Sequence, residues 1–330
     1  MTENPSYPKY STPLACELAA LFDAIPDEEL LASLTTYYAG RRGYTHVVLW
    51  RTYVAMTYLS LPSFAALIRA LQDNPSLRDA CGIHHIDGIS STWAYSRFMK
   101  KLANCWARVK NIIRNLTRHL FEILPGFGKS VAIDSTDIKG YSNGGKKGKN
   151  GKVSDVDCGW IVKSNTEGRR KYVFGYKVHI LCDTEYELPI AVDVTAGNVH
   201  DSKRALNLLG QTRWTDSQFH PDYVICDAGY SSEEIRHKMK RQYRAEPIIN
   251  PNPSHKRAVA KTARTKEWNA IYSRRQAVER LNGRLKAHRR LNSLTVRGRF
   301  KVRVHAWLSI IVCQSQAVAT GSRQSVRKVA

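Results

Sequence analysis

Apolar residues recur at helical spacing over about residues 14 to 124 of the 330-residue chain. The spacing is clearest from 102 to 124, where apolar side chains stand three or four positions apart and share one helix face. The uncharged run TYVAMTYLSLPSFAALI at 52 to 68 is shorter than the roughly 20 residues of a membrane span, and it contains Pro62. We therefore expect a helical first half with two buried helices in this run, and no membrane span.

The pattern changes after PGFG at 125 to 128, a turn-forming stretch that ends the helical spacing. Short apolar runs rich in β-branched residues follow, and each predicts a buried strand. They are SVAIDST (130 to 136), KYVFGYKVHILCD (171 to 183), LPIAVDVTAG (188 to 197), DYVICD (222 to 227) and PIIN (247 to 250). Three strands precede the first helix and predict an antiparallel meander, while DYVICD follows a helical crossover and predicts a parallel addition. The fold class is therefore α/β, a mixed sheet flanked by helices.

We place the domain boundary near residue 126. Residues 1–126 form the helical domain. Residues 127–315 form the α/β domain, and residues 316–330 form a flexible tail. The loop GYSNGGKKGKNGK at 140 to 152 is expected to be disordered in the free protein.

The stretch YSRRQAVERLNGRLK at 272 to 286 carries one glutamate among five basic residues. At about 100° per residue, one helix would bring four polar side chains within roughly 60° of one another. These side chains are Tyr272, Arg275, Glu279 and Lys286. The opposite side of the helix is apolar, which predicts that it packs on a core, and its residues are Ala277, Val278, Leu281 and Leu285. A Glu beside an Arg on a surface helix is commonly a solvated ion pair, so a chemical role for this stripe depends on partners elsewhere.

The charge of the chain indicates the partner. Lys and Arg number 51 against 28 Asp and Glu, and the net charge of +23 is spread along the sequence. Such a field favours a polyanion, as in ribosomal, nucleic-acid-processing and some membrane-surface proteins. The seven cysteines include no CxxC pair, and the first residues lack a signal-peptide pattern. Both features are typical of a protein of the reducing cytosol.

Two aspartates stand where predicted strands end, Asp134 after VAI and Asp227 after VIC. Either could by itself cap a turn. Together with Glu279, however, they place carboxylates in a protein whose charge attracts phosphate. Carboxylates can face DNA when divalent metal ions lie between them, and a pair of Mg²⁺ ions can activate the attacking oxygen and stabilise the leaving oxygen in phosphoryl transfer.

These residues resemble the DDE transposases of bacterial insertion sequences, of the insertion-sequence-five type. The signature of that group is Tyr, two residues, Arg, three residues, Glu, six residues and Lys, and the polar stripe matches it at all four positions. Further similar motifs follow in order: AIDST at Asp134, SDVDCGW, FGYKVHILCD, TAGNVHDS and CDAGYSS at Asp227. The segment STWAYSRFMKKL resembles the N-terminal domain of the family more loosely. That helical domain either binds the ends of a DNA element or mediates dimerisation, and the periodicity does not choose between these roles. The lysine-rich loop at 140 to 152 is expected to become ordered on DNA.

The resemblance implies a ribonuclease-H-like fold in which Asp134, Asp227 and Glu279 are the catalytic residues and hold two Mg²⁺ ions, with Mn²⁺ able to substitute. It also implies that Tyr272, Arg275 and Lys286 contact DNA. The protein would cut at the ends of its insertion sequence and join the 3′ hydroxyls to target DNA. Its partners would be double-stranded DNA, as terminal inverted repeats and target, and a second copy in a homodimeric synaptic complex. It would act in the bacterial cytoplasm, associated with the nucleoid.

Two other functions stay open at this point. One is a transposase-derived DNA-binding protein whose chemistry has lapsed, and the other is a ribonuclease-H-like nuclease that does not join strands. The roles of four polar residues near the motifs are also open, because each could cap a turn or a helix instead of serving the site. They are Asp155, Asp157, His200 and Asp201.

Overall fold

The computed structural model describes residues 12–35, 44–145, 148, 151–164, 168–217, 219–251 and 264–321. The first half is helical, as predicted, and the apolar run at 52 to 68 forms the end of one helix and the start of the next. The helices are α1 (Pro13–Asp23), α2 (Glu28–Thr35), α3 (His46–Tyr58), α4 (Phe64–Asp73), α5 (Pro75–Ala80), α6 (Thr92–Asn104), α7 (Trp106–Ile123), α8 (Ser202–Thr215), α9 (Glu233–Tyr243), α10 (Lys266–Ser273), α11 (Gln276–His288) and α12 (Arg299–Thr320). None of the described helices is long and apolar enough to cross a membrane.

The strands form one mixed sheet. They are β1 (Ser130–Lys139), β2 (Gly159–Ser164), β3 (Arg170–Asp183), β4 (Pro189–Ala196), β5 (Tyr223–Cys226) and β6 (Glu246–Ile249). β3 pairs antiparallel with β1 and β4, which confirms the predicted meander. β5 runs parallel to β1, and β6 runs parallel to β5. The ribonuclease-H-like mixed sheet flanked by helices, preceded by a helical region, is therefore confirmed.

β2 was not predicted from the sequence. It pairs antiparallel with the first part of β3 and extends the sheet beyond the end of β4. Ile161 is buried, whereas Trp160 and Val162 on either side of it are exposed. A strand that turns two large apolar side chains to solvent lacks the apolar-in, polar-out alternation by which half-buried strands are recognised.

The C-terminal helix α12 joins the two halves of the chain. It packs against α1, α3, α6 and α7 in the helical half and against β4 in the sheet. Gln314 Nε2 donates to Thr117 Oγ1 of α7 at 2.8 Å and to the carbonyl of Pro189 at 2.9 Å. One continuous apolar core consequently runs from α1 through the sheet to α12.

Two details differ from the expectations. The stretch read as one helix through residues 272 to 286 is two helices, α10 and α11, with a turn at Arg274 and Arg275 between them. Residues 289–298 are irregular, and α12 begins at Arg299. Because α12 continues to Thr320, residues 316–320 of the predicted tail are helical, and residues 322–330 lie outside the described residues.

Replacing Leu281 tests how α11 is held on the sheet. Its side chain is fully buried where α11 contacts β1 and β3. We expect Leu281→Ala to lower the free energy of unfolding by about 2–5 kcal/mol, because it leaves a cavity in a close-packed core. The measurement is urea unfolding, with His288→Ala as the control on an exposed position of the same helix, which should change stability by less than about 0.5 kcal/mol. Equal effects of the two substitutions would contradict this packing.

Buried His305 makes stability depend on pH. Burial lowers the pKa of His305 to about 3, and its Nε2 donates to the carbonyl of Arg290 at 2.9 Å. In the unfolded chain the pKa of a histidine is about 6.5. As pH falls from about 6.5, the unfolded state therefore binds a proton that the folded state does not, and stability is lost.

We expect the advantage of the wild type over His305→Gln to shrink between pH 7 and pH 5, because glutamine keeps a donor for Arg290 but does not titrate. Urea midpoints of both proteins at the two pH values measure this difference. A difference that stays constant with pH would show that His305 does not contribute to the acid sensitivity.

Candidate active site

The register of the sheet brings two of the predicted acids together. Ile133 on β1 lies opposite Cys226 on the parallel strand β5, and the residues that follow them are Asp134 and Asp227. Neighbouring strands are about 4.8 Å apart. Asp227 leaves the sheet at the end of β5, and its Oδ1 accepts a hydrogen bond from Gly229 N at 2.9 Å, which fixes the turn that follows.

Helix α11 brings the third acid, Glu279, to the same end of the sheet. The apolar side of α11 is buried against β1 and β3, as its spacing predicted, and the buried apolar residues are Ala277, Val278, Leu281 and Leu285. On the adjoining side, Asn282 Nδ2 donates to Asp134 Oδ2 at 3.3 Å. Glu279 precedes Asn282 by three residues and so lies one turn away on the same face of the helix.

Arg275 lies among the three carboxylates. Its Nη2 donates to Glu279 Oε1 at 2.5 Å. Burial by itself would lower the pKa of Arg275, but Glu279 and, with smaller effects, Asp134 and Asp227 raise the pKa overall. The guanidinium also stands 5.8 Å from the ring centre of Tyr272. The structure thus brings together the first three members of the polar stripe, and Arg275 neutralises much of the charge of the acids.

Lys286 lies further along α11, roughly 10 Å from Glu279 at about 1.5 Å per residue. Burial lowers the pKa of Lys286, and the charge of Lys163 adds to the effect, while Asp137 and Asp134 oppose it. Asp137 itself forms an ion pair with Lys163. Lys286 therefore stands at the edge of the acidic site, next to a second lysine.

The two aspartates are partly withdrawn from water. The pKa of Asp134 is raised to about 6, mainly by burial and also by the charges of Asp227 and Glu279, while a hydrogen bond from the backbone of Ser135 and the charge of Arg275 oppose the rise. Burial also raises the pKa of Asp227. Clustered, desolvated carboxylates disfavour their own ionised forms, and a nearby cation reverses this effect.

The donor atoms of the site suit a hard divalent cation. Carboxylate oxygens are the ligands that such ions prefer, and Asn282 Oδ1 is buried without a hydrogen-bond partner next to them. Across the described ranges, no three Asp, Glu, His or Cys side chains are arranged to hold one ion, and Glu279 is paired with Arg275. The oxygen ligands of Asp134, Asp227 and Glu279 are nevertheless of the kind that a divalent metal ion prefers.

Two contributors to the site escaped sequence reasoning. Asn282 was not singled out, although its position three residues after Glu279 was the available signal. Asp201, whose role was left open, accepts a hydrogen bond from Lys177 Nζ at 2.9 Å, and its charge helps to raise the pKa of Asp227. It therefore adds a fourth carboxylate beside the site, held by a lysine of β3.

The other open residues stabilise turns. His200 Nδ1 lies 2.8 Å from Ser202 Oγ at the start of α8. Buried Asp155 accepts hydrogen bonds from Tyr176 Oη at 2.9 Å and from Gly298 N at 3.1 Å. Asp157 Oδ2 accepts one from Arg299 N at 2.9 Å. The two aspartates thus attach the start of α12 to the sheet.

Comparison with known proteins agrees with this geometry. Residues 125–313 match the family described as the transposase DDE domain, and residues 9–101 match a family described as a transposase domain (DUF772). A chain from the crystal structure of a pre-cleavage Mos1 transpososome is similar over 94% of this chain and 98% of its own, at 12% identity and a TM-score of 0.22. No curated protein matches the chain. Because the DDE match spans more than half of the 330 residues, the chain belongs to the family of transposases with a DDE domain.

Proposed function

We propose that this protein, a transposase of the insertion-sequence-five type, cuts at the ends of its insertion sequence and joins the freed 3′ hydroxyls to target DNA. The observation that supports it most is the convergence of Asp134, Asp227 and Glu279 around Arg275 in a chain of net charge +23. A positively charged surface attracts the phosphodiester backbone of DNA. DNA binding without catalysis would not require a cluster of desolvated carboxylates.

The proposed cofactor is a pair of Mg²⁺ ions, with Mn²⁺ able to substitute. DDE transposases generally use divalent metal ions. Asp134 and Asp227 would hold them from fixed strand positions, and Glu279 would complete the site from α11. Bound there, the ions supply an activated attacking oxygen and stabilise the leaving oxygen.

In the proposed reaction, two displacements at phosphorus follow one another. In the first, water attacks a phosphodiester at the element's end, a new phosphorus–oxygen bond forms, and the bond to the 3′ oxygen breaks. In the second, that 3′ hydroxyl attacks a target phosphodiester and releases the target's own 3′ oxygen. The role of the carboxylates is to position the reacting groups.

Arg275 has two partners in this proposal. Without metal it pairs with Glu279 at 2.5 Å and lowers the repulsion within the cluster. Bound metal ions would compensate the charge of the carboxylates in place of Arg275. The guanidinium of Arg275 would then be available to bind a DNA phosphate in a bidentate manner. Tyr272 would support it from the same side, and Lys286 would bind a backbone phosphate away from the one that is cut.

Further parts of the proposal concern the assembly. Residues 1–126 would bind the element's ends or mediate dimerisation, residues 127–315 would carry the chemistry, and residues 316–330 would form the C-terminal tail, helical at first. The inverted repeats at the two ends of an element are related by symmetry, so pairing them requires at least a homodimer. The complex would act in the bacterial cytoplasm on double-stranded DNA of the nucleoid.

Asp227→Asn tests the chemistry. The substrate is DNA that carries both flanks of the protein's own coding region, together with a second, labelled target DNA. We expect the wild type to nick the flanks and join them to the target with Mg²⁺ and not with EDTA. Asp227→Asn should lower both yields by at least about a hundredfold, because loss of a metal ligand exceeds the loss seen for groups that only support one.

Binding of the same DNA, measured in parallel, is the control, since Asp227→Asn removes no cation and should bind at least as well as the wild type. Nicking without joining would replace the proposal with a nuclease. Equal binding by all samples, with neither cutting nor joining once paired ends have assembled, would replace it with a DNA-binding protein whose chemistry has lapsed.

Lys286→Ala tests the phosphate contact. Each phosphate neutralised by the protein contributes about one to the slope of log K against log salt concentration. We expect Lys286→Ala to reduce the magnitude of that slope by about one and to weaken binding equally across DNA sequences. Fluorescence anisotropy with a duplex between about 50 and 200 mM salt measures both quantities.

The matched control is Lys238→Ala. Lys238 is an exposed helical lysine that already pairs with Glu234 at 2.5 Å, so its removal should leave the slope close to that of the wild type. An unchanged slope for Lys286→Ala would mean that Lys286 binds no phosphate.

A further inference from the structure

A cleft of about 710 Å³ lies beside the strand that carries Asp134. Its walls are the end of β1 and the residues just after it, the hairpin of β2 and β3, and Arg297 from the segment before α12. The residues on which its chemistry depends are Lys139, Tyr141, Trp160, Lys171, Tyr172 and Arg297. None of the proposed catalytic residues lines it, so it is a separate feature of the surface.

Aromatic side chains are unusually exposed around this cleft. Tyr141 is 52% exposed, Trp160 is 47% exposed and Tyr172 is 56% exposed. Trp160 also packs at 5.1 Å against the ring of Phe174, which holds it in place. Large aromatic surfaces gathered at one place on a protein surface indicate an interaction site.

The cleft is positively charged and therefore favours a negatively charged partner. Lys139, Lys171 and Arg297 contribute three positive groups, and no Asp or Glu is among the described residues that line it. Arg297 is held by a hydrogen bond from its Nε to the carbonyl of Tyr141 at 2.7 Å, and its guanidinium lies 5.1 Å from the ring centre of Tyr141. A planar cation and a ring thus stand together, with lysines beside them, which is an arrangement suited to bases and phosphates.

β1 sets the distance between the cleft and the acidic site. It carries both Asp134 and Lys139, which are five residues apart and hence about 16 Å apart along the strand. Side chains five positions apart on a strand point to opposite faces, so the two sites share the strand and not a face.

We propose that this cleft binds an unpaired DNA strand, with bases stacked on its aromatic side chains and phosphates bound by its lysines. In a duplex the faces of the bases are covered by their neighbours, so exposed rings gain a stacking partner only from unpaired nucleotides. The inference rests on the proposed function for the origin of the strand, which would be the end freed by cutting. Its recognition chemistry needs neither metal nor catalysis.

The test is fluorescence anisotropy with a labelled oligothymidine strand and a labelled duplex of equal length, in EDTA. We expect Tyr172→Ala to weaken binding of the single strand by at least about fivefold, as for the loss of one stacked base, and to change duplex binding less than twofold. Tyr172→Phe keeps the ring and should bind like the wild type. Trp214→Ala, which removes a tryptophan that is 81% exposed and lies outside the cleft, is the second control.

Tyr172 is exposed on a sheet surface, and circular dichroism with a urea midpoint will show whether Tyr172→Ala is folded. Single-strand binding unchanged in folded Tyr172→Ala, or lost equally in Trp214→Ala, overturns the proposal. The wild type in the joining assay separates it from the proposed function. If the wild type joins DNA but Tyr172→Ala does not change single-strand binding, only the proposal about the cleft is wrong. If Tyr172→Ala selectively weakens single-strand binding but the wild type neither cuts nor joins DNA, the cleft proposal stands and the transposase function is wrong.

Discussion

Two carboxylates on adjacent parallel strands, partly shielded from water, repel each other in the folded protein. The parallel register of β1 and β5 imposes this proximity on Asp134 and Asp227, and burial makes their ionisation harder still. A fold that retains such a pair has to supply positive charge close by. Arg275 does so here, and it reaches the acids only because α11 is anchored on the sheet by its apolar side. The packing of α11 on the sheet therefore determines whether the charges of the site are balanced.

The need to compensate the charge of the acids also explains the other polar contacts of the site. Asn282 ties α11 to Asp134 directly, and Lys177 holds Asp201 near Asp227. These contacts join side chains of β1, β3 and α11 with the residue that precedes α8. Asp134, Glu279 and Asp201 thus each have a neutral or positive side chain as a hydrogen-bond partner.

Much of this arrangement was accessible from the sequence, for physical reasons. Strands buried on both faces appear as short apolar runs, so β1 and β5 and the aspartates beside their buried runs could be located. Asp227 follows the end of β5 as predicted, but β1 continues past Asp134 to Lys139, because its later residues still pair with β3. The burial of Val278 and Leu281 followed from helical periodicity. The turn at Arg275 could not be predicted, because arginine is a good helix former and nothing local indicates a break. The contact of Arg275 with Glu279 spans four residues and follows from helical spacing, whereas the closeness of Arg275 to Asp134 and Asp227 depends on how α11 sits on the sheet, which periodicity does not report.

β2 and the packing of α12 were missed for a related reason. The exposure of Trp160 depends on what surrounds the strand, and the contacts of α12 join residues nearly 300 positions apart in some cases, such as those with α1. Local patterns report which face of an element is apolar. They do not report which distant element covers that face.

The position of α12 has a consequence for synthesis on the ribosome. The helices of the first half are complete once residue 123 has emerged, yet the helix that covers α1, α3, α6 and α7 ends at Thr320. At about 5–20 residues per second, roughly 200 residues of further translation leave their apolar surfaces uncovered for about 10–40 seconds. During that interval the apolar faces of these helices lack the cover that α12 gives them in the folded protein. The interior between the two halves closes only once α12 has been synthesised.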